Sequence, residues 1–184
     1  MTRGQRNHNP LNIRRSDRTR WLGQLRQQHD REFVQFQSDL FGFRAAFRIL
    51  HTYITLHHLH TLKEIIYRWA PPEDGNNTVS YIATVSERSG IRPAERLEWG
   101  DQTALVAIVC AMAYVESRMT DIDVGIVQRA YLLACWDMNP IICCFRQIHV
   151  CFRKLIIIIS TFESFGVTIQ RKNYDAASRI FLGQ

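Results

Sequence analysis

Apolar residues recur at three- and four-residue steps along most of the first 136 residues, and that spacing predicts a succession of helices. From Asp39 to Leu62, residues Phe43, Ala46, Phe47, Leu50, Tyr53 and Ile54 fall on one face, with Ser38 or Asp39 placed to cap the start. Thr61 to Trp69 reads as a second helix that buries Leu62, Ile65, Ile66 and Trp69. Pro71 and Pro72 end it, because the residue before a proline avoids the helical region. Asn77 or Thr78 caps a third helix running to about Ser89, with Tyr81, Ile82 and Val85 inward and Gly90 as the stop. From Asp101 to Glu116 the chain is apolar on nearly every side, as expected of a buried central helix. Ile122 to Cys135 is the last, with Thr120-x-x-Asp123 as its capping arrangement.

Between these lie polar connectors. Residues 16–38 read as irregular or partly β, Glu73 to Thr78 as a turn-rich loop, and Arg92 to Gly100 as a polar link. The opening stretch, Arg3 to Arg14, fits neither period. Three asparagines and Pro10 make it a tightly folded polar loop, or else a disordered basic terminus. Beyond Asp137 the character changes: Pro140 breaks the chain, and Ile141 to Phe145 and Leu155 to Ile159 are strongly apolar and β-prone. The expected organisation is a domain over residues 1–136 and an extension over 137–184. The fold class is mainly α, or α+β with a small irregular segment near the N-terminus.

Composition adds bounds. With 184 residues, 46% of them hydrophobic, the chain can bury a core, and one main domain is expected. A net charge of +6 favours an anionic partner: nucleic acid, anionic lipid or cell wall. No helix pattern gathers arginines on one face, so specific nucleic-acid recognition is not expected. No signal sequence and no membrane-length apolar run are evident. The protein is therefore expected to be made in the cytoplasm, and to reach a wall or periplasm after release or inside a particle.

The five cysteines, an odd number, argue for free thiols. Cys143, Cys144, Cys151 and His149 lack zinc-site spacing. His57, His58 and His60 read as surface histidines near a helix end, with His57 and His60 the pair able to share a face. Neither a metal nor a cofactor is expected.

The candidate chemistry centres on Glu116, the first charge after Asp101. A carboxylate that ends a buried helix is placed where desolvation favours its protonated form, which a general acid requires. The alternative is a Glu116 that emerges into solvent and pairs with Arg118. No second acid stands out among Asp30, Glu32, Asp121 and Asp123. Trp69 and Tyr81 are core aromatics or a stacking platform for sugar rings.

Several motifs carry a resemblance. Arg3-Gly-x-Arg-Asn-x-Asn-Pro-x-Asn-Ile-Arg14 is followed by Trp21-x-Gly23, Asp30-x-x-Phe33-x-x-Phe36 and Gly42-x-Arg44-Ala45. Then come Tyr53, Ile65-Ile66-x-Arg68-Trp69-Ala70-Pro71, Asn77-Thr78-x-x-Tyr81-Ile82, Ala111-Met112-x-x-x-Glu116 and Ile122-Asp123. This order resembles a phage-derived family of virion structural proteins and muralytic enzymes with a lysozyme-like, lytic-transglycosylase-type fold. Glu116-Ser117 also resembles the Glu-Ser pair of transglycosylases. The resemblance spans roughly residues 3–134. It implies cleavage of peptidoglycan glycan strands by Glu116, with Asn7, Asn9, Asn12, Trp69, Asn77 and Tyr81 lining the groove, and virion components as further partners. The alternative is a non-catalytic virion or wall-binding protein of the same fold.

Overall fold

The computed structural model describes residues 1–136, and all structural statements concern these. The extension over 137–184, with its apolar runs and three of the cysteines, lies outside the described residues. The fold is mainly helical, with α1 Arg3–Arg6, α2 Asp39–Thr55, α3 Leu62–Trp69, α4 Thr78–Ser89, α5 Gln102–Ser117 and α6 Val124–Trp136, plus a 3-10 turn Pro72–Asp74.

Helix α5 is the hub. Leu105, Val106, Ile108, Val109, Ala111, Met112 and Ala113 are buried on several sides, because α4, α6, α1 and α2 all pack on it. Phe43, Phe47, Leu50 and Ile54 of α2 join the same core, with Ile65 and Ile66 of α3 and Val127 and Ala130 of α6. Truncating one such fully buried leucine, Leu50 or Leu105, removes contacts that the rigid surroundings cannot replace, at about 2–5 kcal/mol.

Local chemistry sets the helix ends. Thr61 and Glu64 form a reciprocal capping box at the start of α3. Asn77 caps α4 by accepting from Ser80 N–H, and Gly90 closes that helix at φ 74°, a left-handed conformation that glycine adopts without strain. At α6 the cap is Asp123 alone, whose carboxylate accepts from Gly125 N–H at 2.8 Å; the expected Thr120-x-x-Asp123 pairing is not the device. Helix α2 stops at Thr55, seven residues short of the expected Leu62. The apolar period runs on, but His58 takes a left-handed φ of 55° and turns the chain, and Leu59 N–H returns to Tyr53 O.

Residues 13–36 form no sheet. Single antiparallel bridges join Arg14 to Phe33 and Gln24 to Phe36, and loops run between them. The expected β character thus reduces to isolated bridges.

The N-terminal segment is ordered rather than frayed, and it begins with a helical turn that the apolar spacing does not predict. Thr2 and Gln5 make a capping box around α1. Two glycines let the segment dock. A Cβ on Gly4 would collide with Ser117 Oγ and sit 2.9 Å from Asn9 O. A Cβ on Gly42 would collide with His8 O and lie 2.7 Å from Pro10 Cδ. The segment is therefore wedged between the C-terminal end of α5 and the start of α2, and this brings Asn12 to Glu116.

Candidate functional site

Three separate pieces of chain converge on one carboxylate. Glu116 is half-buried at the end of α5. Its Oε1 accepts from Trp69 Nε1, at the end of α3, at 3.0 Å, and from the Tyr81 hydroxyl, in the first turn of α4, also at 3.0 Å. Its Oε2 accepts from Asn12 Nδ2 at 3.2 Å, and the same amide reaches Glu116 O at 2.8 Å. The alternative arrangement, an ion pair of Glu116 with Arg118, is not formed.

Each donor is placed by local structure. Trp69 is the last residue of α3, fixed where the Ala70-Pro71-Pro72 run stops the helix. Ala70 O accepts from the buried Thr78 hydroxyl at 2.6 Å, which ties the end of α3 to the start of α4 and sets Tyr81 beside Trp69. Asn12 holds a left-handed φ of 48°, which asparagine tolerates better than most side chains.

The donors are electrically neutral, so the cluster holds a carboxylate without a cation. Tyr81 is only 7% exposed. Burial first, then the Glu116 charge and the hydrogen bond to it, push the Tyr81 phenol well above its ordinary range, so it stays a donor across physiological pH. Both acceptor positions on Oε1 are occupied by these two donors. Oε2, with its single longer contact, is the oxygen with room for another partner.

The structure separates the candidate residues into two groups. Asn12, Trp69, Tyr81 and Glu116 come together. Asn7, Asn9 and Asn77 do not join them. Asn7 is 5% exposed and donates to Asp30 Oδ2 at 2.7 Å, while Gln35 donates to its oxygen. Asn9 is fully buried; its amide donates to Ile13 O and Val34 O, and its oxygen accepts from Ile13 N–H. Asn77 is the α4 cap. The amides of Asn7 and Asn9 are spent on the backbone and on neighbours, whereas Asn77 is exposed and spends only its oxygen on the cap.

The alternative acids also have other work. Arg3 grips Asp30 with two hydrogen bonds of 2.7 Å and Glu32 with a third. That grip, helped by Phe33 N–H, Asn7 and Glu32 N–H, holds the Asp30 carboxyl far below the usual carboxylate range. Asp123 caps α6. Ser117, beside Glu116, is fully buried under Gly4, and its hydroxyl has no hydrogen-bond partner among the described residues. It is thus closed off from any ligand in this arrangement. Cys110 is a free thiol, and among the described residues no cluster of three metal-ligating side chains occurs.

Arg118, and Arg88, which sequence reasoning did not single out, both lie against Tyr114. The Arg88 guanidinium of α4 lies 3.7 Å from the ring centroid of Tyr114, and that of Arg118 lies 5.7 Å from it. The signal for Arg88 is its i, i+7 relation to Tyr81 on α4.

No family model matches the chain. Over 117 residues it is 38% identical to Protein P5 of Pseudoalteromonas phage PM2, an alignment that takes in 62% of this chain and 71% of the phage protein. The chain belongs to the family of that phage protein. The phage character of the sequence resemblance is thereby shown, and the P5 relative supplies no chemistry for Glu116. Among the described residues no helix is long and apolar enough to cross a membrane.

Proposed function

We propose that this P5-family protein is a phage-type, particle-carried protein that binds peptidoglycan glycan strands at the side-chain cluster around Glu116 and cleaves them with that residue as the single acid. The observation that carries the reading is the convergence of Trp69, Tyr81 and Asn12 on one half-exposed carboxylate at the end of a buried helix. Half-buried Trp69 offers the aromatic face on which a sugar ring stacks, while buried Tyr81 and the Asn12 amide fix the carboxylate.

In this reading the chemistry runs through one carboxyl group. With Oε1 held by two donors, Oε2 carries the proton to the glycosidic oxygen, and the bond from the anomeric carbon to that oxygen breaks. The 6-hydroxyl of the same N-acetylmuramic residue then closes on the anomeric carbon, and its proton returns to Glu116. One carboxyl group serves as acid and then base, so no second acid is required. This agrees with the engagement of Asp30, Glu32 and Asp123 elsewhere. A hydrolase of the usual kind would need a partner carboxylate about 5–9 Å away.

A second reading is a non-catalytic virion component of the same fold. It is favoured by one observation: Asn12 bonds both the carboxylate and the backbone carbonyl of Glu116, and the Thr2 hydroxyl bonds Ser117 O at 3.0 Å. In that reading Glu116 is the pin that fastens the N-terminal segment to α5. Clearing of purified sacculi by wild type and by Glu116→Gln separates the two. Cleavage requires a clearing rate that falls about 100-fold or more in the variant; a pin alone predicts no clearing by either protein and a lower Tm for the variant.

A further inference from the structure

The charge of the described chain is unevenly placed. Residues 1–31 carry eight arginines, no lysine and two acids, Asp17 and Asp30, whereas residues 32–136 carry nine cations and twelve acids. The first stretch is strongly positive and the remainder is net negative, so the basic character of this domain has a location. Spread evenly, the same charges would make an ordinary solvated surface.

The fold gathers these arginines. Arg14 bridges Phe33 and Gln24 bridges Phe36, so residues 15–23 and 25–32 form two loops rooted on one short stretch of chain. Arg15 N–H donates to Glu32 O at 2.7 Å and the Arg15 side chain donates to Asp30 O at 2.9 Å, which ties the first loop to the second. Leu25 N–H donates to Gln35 O, and Gln28 Nε2 donates to both Leu25 O and Gln35 O, which folds the second loop onto its root. The Arg3 and Arg14 guanidinium groups share one ring, 4.6 and 5.7 Å from the Phe33 centroid. Arg14, Arg15, Arg18, Arg20, Arg26 and Arg31 are all exposed on or beside these loops. Arg3 alone takes up both Asp30 and Glu32, and Asp17 is the one other acid there, so the loops keep a net positive charge.

We infer that these two tied loops form a binding surface for the phosphodiester backbone of a nucleic acid, engaged without regard to sequence. Guanidinium is the only side-chain cation of lysine or arginine type there, and its planar fork matches a pair of phosphate oxygens. Ser16, Thr19, Gln27 and His29 are exposed between the arginines and add hydrogen-bonding groups of the kind that phosphates accept. The loops contain no helix and no paired ribbon to enter a groove, so the contact is to the backbone and not to base edges. An anionic membrane is the poorer fit. Leu22 is the one exposed large apolar side chain of the loops, and neighbouring Trp21 packs against the core, so little is offered to acyl chains. The inference goes beyond the glycan reading and does not depend on it, because it uses no residue of the Glu116 cluster.

The test is binding of the full chain to two DNA duplexes of unrelated sequence, read by fluorescence anisotropy from about 50 to 200 mM salt. Wild type is compared with Arg18→Gln/Arg20→Gln/Arg26→Gln and with Arg68→Gln/Arg92→Gln/Arg129→Gln. The side chains of Arg18, Arg20 and Arg26 make no hydrogen bond or ion pair among the described residues, so the first variant should keep the wild-type Tm. The second removes the same charge from exposed positions elsewhere, which separates location from net charge. The expected result is equal binding of both duplexes by wild type, and affinity about tenfold or more weaker in the loop variant at low salt. The slope of log affinity against log salt should also shrink by about 2–3 in that variant, while the second variant stays within about twofold of wild type. Wild type that binds neither duplex, or equal losses in the two variants, overturns the surface. Wild type that binds phosphatidylglycerol vesicles and not DNA overturns it too, in favour of a membrane contact. None of these outcomes bears on the cleavage assigned to Glu116, which the sacculus assay tests separately.

Discussion

The indole N–H of Trp69 and the hydroxyl of Tyr81 meet the same oxygen of Glu116, each at 3.0 Å, although the two residues sit on different helices. Together they fix one edge of the carboxylate. Tyr81→Phe removes one donor and leaves the other, so the two deletions should be coupled. Each single change, Trp69→Phe or Tyr81→Phe, is expected to cost about 1 kcal/mol of stability. The double-mutant cycle should give a coupling energy above about 0.5 kcal/mol. Urea unfolding of the four proteins measures it, and strict additivity would mean that the two donors do not act on one group.

Gly4→Ala probes how the N-terminal segment docks. In an exposed helix this change stabilises by about 1 kcal/mol. Here the new methyl would collide with Ser117 Oγ and meet Asn9 O at 2.9 Å and Asn12 Oδ1 at 2.8 Å. The expected sign is therefore reversed, to a destabilisation of about 1–3 kcal/mol read as a lower urea midpoint. Because Asn12 would shift with the segment, activity per folded molecule should fall too.

Asn9 separates a fold-holding amide from a ligand-binding one. It makes three hydrogen bonds while fully buried, so Asn9→Ala should cost about 2–4 kcal/mol. Asn9→Asp should be worse, since it replaces a donor facing two carbonyls with a charge. At a temperature where the variant is folded, its glycan affinity should match wild type. Calorimetry for stability and sacculus pull-down for affinity check the two halves.

Acid stability should track Asp30. Its carboxyl is depressed chiefly by the Arg3 hydrogen bonds, so the folded protein binds its proton at lower pH than the unfolded chain does. The sign follows: the contribution is fully present above about pH 4, the unfolded value, and is lost progressively as pH falls below it. Unfolding free energy measured from about pH 5 to pH 2 should drop steeply in wild type and less steeply in Asp30→Asn.

The helices were largely legible because period and punctuation agreed. Pro71-Pro72 and Gly90 marked real ends, and the apolar run from Thr103 to Val115 marked the central helix. The end of α2 was not legible: Leu59 and Leu62 continue the apolar period, yet the turn at His58 separates them from α2. Helix α1 carried a readable signal, the Thr2-x-x-Gln5 capping box, which the asparagine-rich stretch obscured. Glu116, Trp69, Tyr81 and Asn12 could be picked out as candidates one at a time, but not that all four meet. Asn7 and Asn9 misled because an amide that pins a loop and an amide that binds a sugar are the same residue in sequence; only burial and partners distinguish them.

The most direct measurement is the mass of the products released from purified sacculi by wild type and by Glu116→Gln. The account predicts fragments from wild type that are lighter by one water than hydrolysis would give, and none from the variant. Products of equal yield from both proteins would remove Glu116 from the chemistry. An inactive wild type that still binds sacculi would leave a wall-binding phage component in place of an enzyme.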